Sequence, residues 1–70
     1  MRDRLEQLVH EMVDRGITFE DAQRELARHF IIRVLARCEG NLGRAATELG
    51  VHRNTLTRKI QDLKIRLPRS

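Results

Sequence analysis

Apolar residues along this chain recur at helical spacing and nowhere alternate as a half-buried strand would. Leu5, Leu8, Val9, Met12 and Val13 stand at i, i+3, i+4, i+7 and i+8, an amphipathic stripe that predicts a helix over residues 2–15, stopped at Gly16. Thr18 is placed to cap a second helix, with Asp21 standing where a complete capping box has Glu or Gln. That helix is expected to run to about residue 38. Its apolar residues include Phe19, Ala22, Leu26, Phe30, Ile31, Ile32, Val34, Leu35 and Cys38, and from Phe30 onward they cover more than one face. A helix apolar on several sides must be buried on several sides. The second helix is therefore expected to be a central strut, covered by the first helix, by the C-terminal part of the chain and by a partner subunit.

Gly40 reads as the residue just past the end of that helix and Asn41 as the cap of a third, over residues 42–49. Gly50 interrupts again, and Val51 and His52 lead into a fourth helix over residues 53–63, where Leu56, Ile60 and Leu63 form a narrow apolar stripe. Pro68 discourages any helix beyond it. The expected fold is all-α with four helices.

Two short helices that cross steeply need a small residue where they touch and a sharp turn between them. Ala45, Ala46 and Gly50 meet both needs, while Leu49, Val51, Leu56 and Ile60 supply a small core. The last two helices thus read as a helix-turn-helix, and an ordinary helical hairpin is the plainer alternative. At roughly 100° per residue, a fourth helix with its apolar stripe turned inward leaves Asn54, Arg58 and Gln61 outward, which are residue types that read DNA. In this motif the first turn, here His52, Arg53, Asn54 and Thr55, goes deepest into the major groove, and Thr57, Arg58 and Lys59 lie where phosphates pass. Arg53 is the candidate for a bidentate contact to guanine. Asn41 and Thr55 offer short polar groups to phosphate oxygens, and the third helix adds its N-terminal amides. Asn41 is equally a plain helix cap, and Arg44 equally a partner of Glu48 at i+4.

Charge sharpens this picture through its distribution. Residues 1–40 hold seven Lys/Arg and eight Asp/Glu, a net −1, whereas residues 41–70 hold seven Lys/Arg and two Asp/Glu, a net +5. A one-sided positive field of this kind gathers polyanions, and double-stranded DNA is the expected partner. Lys64, Arg66 and Arg69 add general electrostatic support or a solvated tail.

Size supplies a second constraint. A chain of 70 residues buries only roughly 60% of the surface its unfolded form exposes. With two aromatics, Phe19 and Phe30, and no disulfide available to the lone Cys38, it needs another source of burial. A homodimer is expected, with Leu5, Leu8, Val9, Met12, Val13, Phe19, Leu26 and Phe30 in the interface. The organisation expected is one domain over residues 1–70, with about 1–40 a helix pair for dimerisation and about 41–65 the helix-turn-helix.

Other chemistry is missing. His10, His29 and His52 do not fall at metal-ligand spacing with one another or with Cys38, and no glycine-rich phosphate loop or isolated carboxylate pair stands out. No metal, cofactor, small-molecule substrate or enzymatic activity is expected. No apolar run approaches a membrane span and the first residues lack the apolar core of a secretion signal, so a soluble, cytoplasmic and nucleoid-associated protein is expected, without a membrane partner. From another class, a helical adaptor that docks its basic end on an acidic protein remains open.

The stretch EGNLGRAATELGVHRNTLTRKIQDL, residues 39–63, resembles the Fis family of bacterial DNA-binding domains, including the C-terminal domains of sigma-54-dependent activators. The resemblance extends over most of the chain. It implies a homodimer whose first two helices intertwine into a four-helix core, with a helix-turn-helix at each end and recognition helices spaced so that binding bends the duplex, in transcription regulation or nucleoid organisation. By the same resemblance Arg53 contacts a base, Asn41, Thr55 and Arg58 contact phosphates, and Lys59 lies near the backbone. His52 stands where the Fis pattern has a base-proximal Asn, Thr57 follows the activators, and no extended hairpin arm precedes the first helix.

Overall fold

A computed structural model of the protein describes residues 2–67, which form four helices and no strand. They are α1 (Arg2–Asp14), α2 (Phe19–Arg37), α3 (Leu42–Leu49) and α4 (Arg53–Asp62). Pro68 and Arg69 lie outside the described residues.

Side-chain caps start three of these helices. The Thr18 hydroxyl accepts from the Asp21 amide at 3.1 Å, Asn41 Oδ1 from the Arg44 amide at 3.0 Å, and His52 Nδ1 from the Asn54 amide at 3.0 Å. The first two were legible as caps, and the third is a histidine doing the work more common for Ser, Asp or Asn.

All four helices stop in one way. One or two residues past each end the backbone turns left-handed, the amide of that residue donates three residues back, and the next amide donates five residues back. For α3 these bonds run from Gly50 to Thr47 and from Val51 to Ala46, and Gly50 has φ 73°. At the end of α2 the left-handed C′ residue is Glu39, φ 53°, and Gly40 follows it at φ 79°, so the glycine sits one position later than the sequence pattern places it. Lys64, φ 55°, plays the same part after α4. The motif often joins an apolar residue past the end to one in the last turn. Its completion explains why Ile65, beyond α4, is buried with Ile60.

The core lies between α2 and the α3–α4 pair. Ile31, Leu35 and Cys38 of α2 cluster with Ala45 and Ala46 of α3 and with Leu56, Ile60, Leu63 and Ile65, and Leu42, Leu49 and Val51 pack against them. Leu35 and Leu56 are both 0% exposed. The small Ala45 and Ala46 let α3 approach α2 closely.

Helix α1 departs from the expected strut arrangement, because it does not cover α2 and buries no residue of its own. Leu5, Leu8 and Val9 stay about half exposed at 50%, 47% and 48%, and of its amphipathic stripe only Met12 is partly buried. The side of α2 that carries Phe19, Leu26 and Phe30 is open as well. A compact monomer of this mass exposes about 4,500 Å². This chain exposes 6200 Å².

Two substitutions test this account by urea denaturation. Leu35→Ala is expected to cost about 3 kcal/mol through lost burial and the cavity it leaves. Glu39→Gly is expected to gain about 1 kcal/mol by relieving a side chain held in the left-handed region, and a loss there would refute the strain assigned to that turn.

Candidate nucleic-acid interface

The rotation of α4 about its own axis is fixed by Leu56 and Ile60, which are both buried. At 100° per residue that leaves Asn54, Arg58 and Gln61 on the opposite side, and all three are exposed. His52, Arg53 and Thr55 are exposed around the first turn, beside the free amides of the helix N-terminus. These groups form one polar and basic end, free of acidic side chains in the first turn.

Each expected contact residue has a definite place. Asn41 spends its carbonyl oxygen on the cap of α3, which leaves its amide NH2 available as a donor at that helix start. Thr57 is half-buried, and its hydroxyl donates to the Arg53 carbonyl at 3.1 Å, so its proton is already engaged within the helix. Thr55 makes no such bond among the described residues. Lys59 is not grouped with Asn54 and Arg58. It lines a groove of about 670 Å³ between α2 and α4, together with Glu20, Arg24 and Asp62. The Arg44–Glu48 pair suggested by spacing is replaced by an ion pair across helices, Arg37 Nη2 to Glu48 Oε1 at 3.8 Å, an exposed contact worth at most about 1 kcal/mol.

Arg24 and Arg28 were not singled out by the sequence pattern. Arg28 donates to the Leu63 carbonyl, and Arg24 donates to the Asp62 carbonyl at 3.5 Å. Two cations thus meet the unpaired carbonyls and the negative dipole end of α4. Their i, i+4 spacing on the face of α2 that carries Ile31 and Leu35 was the available signal.

Among the described residues no group of three or more His, Cys, Asp or Glu gathers where a metal ion could sit, and no helix is long and apolar enough to cross a membrane. What the site presents is a short basic helix with both ends held and its outer side free. The segment from the first turn of α2 to the end of α4, residues 22–63, matches the family of bacterial regulatory proteins called the Fis family. The chain belongs to the Fis family. Two curated relatives from Xylella fastidiosa carry the name Fis-like DNA-binding protein. The one from strain Temecula1 is 46% identical over 39 residues, covering 56% of this chain and 43% of its own length. The one from strain 9a5c is 45% identical over 38 residues, covering 54% and 42%. The matched stretch therefore spans less than half of these relatives, and α1 lies outside the family match. No solved structure matches the chain.

Removing the Arg28 contact is expected to loosen α4 at its C-terminal end. Arg28→Ala should lower stability by about 1 kcal/mol, seen as a fall of about 5 °C in the thermal midpoint. Arg28→Lys should recover part of the loss, and an unchanged midpoint for the alanine variant would show the contact to be idle.

Proposed function

We propose that this protein is a dimeric, sequence-biased DNA-binding regulator that lays α4 in the major groove and acts in bacterial transcription or in nucleoid organisation. The observation that carries this reading is the two-sided character of α4. Its buried Leu56 and Ile60 turn Asn54 and Arg58 outward and leave Arg53 and Thr55 exposed around the first turn, on the half of the chain whose net charge is +5. Membership of the Fis family and the name of the relatives agree with it.

In this reading Arg53 reads guanine through its paired donors. Arg58, Thr55 and the free amide of Asn41 hold phosphates, with the α3 N-terminus beside them. Lys59, on the flank, contributes to the field more than to a defined contact. No cofactor or small molecule takes part.

What supports the dimer is surface that the single chain leaves bare. The excess over a compact monomer is about 1,700 Å², so a pair of subunits that covered it would bury about 3,400 Å² in total, within the range of obligate homodimers. Helix α1, 13 residues long with none of them buried, is too short to be stable alone. We assign its stripe of Leu5, Leu8, Val9, Met12 and Val13, with Phe19, Leu26 and Phe30 of α2, to contact with a second copy. Residues 1–40 then serve dimerisation and residues 41–65 the DNA. Two recognition helices held at one separation would also bend the duplex to fit.

Binding to duplexes of mixed sequence at two salt concentrations tests the partner. Arg53→Ala should weaken preferred sites by about 1–3 kcal/mol and flatten the preference, whereas Arg58→Ala should weaken all sequences alike and reduce the salt slope by about 1. No retarded complex at micromolar protein would point to the adaptor function instead. Sedimentation should return twice the subunit mass for the wild type and the subunit mass for Phe30→Asp. A wild type that sediments as one subunit at micromolar concentration would defeat the dimer.

A further inference from the structure

Among the described caps, that of α4 is unusual in using a ring nitrogen. The Asn54 amide donates to His52 Nδ1 at 3.0 Å, so in the neutral imidazole that nitrogen carries no proton and the proton sits on Nε2. The ring is exposed, and Nε2 makes no hydrogen bond among the described residues. The cap holds the ring with His52 in extended backbone, φ −71° and ψ 147°, immediately before Arg53. His52 therefore stands at the end of α4 that meets base edges in a helix-turn-helix, offering one donor whose direction is set and whose acceptor is already spent.

We propose that His52 is a specificity-determining residue whose capped ring presents Nε2–H to the major groove, selecting guanine and rejecting cytosine. The proposal rests on the DNA-binding reading above. A side chain that can only donate needs an acceptor. Guanine offers two on its major-groove edge, N7 and O6, whereas adenine pairs its N7 with an amino donor, thymine has a single oxygen beside a methyl group, and cytosine shows an amino donor. Against cytosine the Nε2–H would face another N–H and stay unpaired. The cap also lowers the cost of ordering, since the ring is held before DNA arrives. Arg53, on a long flexible stem, has no such restraint, so the two neighbours divide the reading differently.

The experiment compares the full-length wild type with His52→Ser and His52→Asn. Serine keeps the cap but is too short to reach a base, and asparagine keeps the cap through its carbonyl oxygen while its NH2 still donates. Dissociation constants are measured on the site selected from a randomised duplex, with each base placed in turn at every position. For the wild type, one position per half-site should favour guanine over cytosine by about fivefold. His52→Ser should level that position and leave the others unchanged, and His52→Asn should keep the preference. A serine variant that retains the guanine step, or that weakens every position evenly, overturns the proposal, the second result leaving His52 as a cap alone. A wild type that binds no duplex rejects the DNA reading itself, which is a different outcome from a complex formed without a His52-dependent step.

Discussion

Leu35 of α2 and Leu56 of α4 lie in one buried cluster, with Ala45 and Ala46 letting the α3 backbone close on it, and the geometry of the whole C-terminal half depends on that seam. Burying a leucine side chain is worth about 1.5–3 kcal/mol. In a chain so short a few such side chains carry much of the stability. The seam also has a directional effect. Because Leu56 and Ile60 point into it, α4 cannot rotate about its own axis without exposing them, and the outward residues are fixed without taking any part in the packing. Core and proposed binding surface are opposite faces of one helix, so the outer residues can vary while the inner ones hold the helix in place.

Rotation is only one of the freedoms of α4. Its N-terminus is set by the His52 cap, and its C-terminus by the left-handed turn at Lys64, the return of Ile65 into the core and the arginines of α2 on its last carbonyls. Both ends of a helix leave backbone groups without partners. Here those groups are used to attach the helix to its surroundings, and the side chains that do so come from outside the helix itself.

Most of this was legible in the sequence because the signals are local. Helical periodicity gave four helices whose ends fall within one or two residues of the observed ones, and Asn41, Ala45, Ala46 and Gly50 have the roles their types suggest. Two kinds of feature were not legible. Glu39 and Lys64 adopt a conformation that glycine favours, because completion of a capping motif outweighs a modest strain, and that balance is invisible one residue at a time. Arg24 and Arg28 reach α4 from 38 and 35 positions away, and no spacing rule joins residues so distant. In the site, periodicity sorted Asn54, Arg58 and Gln61 outward, but a groove with α2 decides the setting of Lys59, and a bond inside the helix that of Thr57.

The apolar excess of α2 has a structural reading that joins the two halves of the molecule. At 100° per residue Phe19, Leu26 and Phe30 fall about 140° round the helix from Ile31 and Leu35. The second pair faces the helix-turn-helix, and the first group is bare. In the proposed dimer one helix therefore holds the recognition unit on one side and the partner on the other, with Arg24 and Arg28 tying it to the end of α4. A continuous 19-residue helix is a stiff spacer. The distance between the two recognition helices is then a property of the dimer core and not of any flexible linker. DNA whose grooves do not meet that distance must deform, at a cost that depends on its sequence even where no side chain touches a base. In the proposed dimer, selectivity then has two sources that are physically separate: the donors of the first turn of α4, and the rigidity of α2.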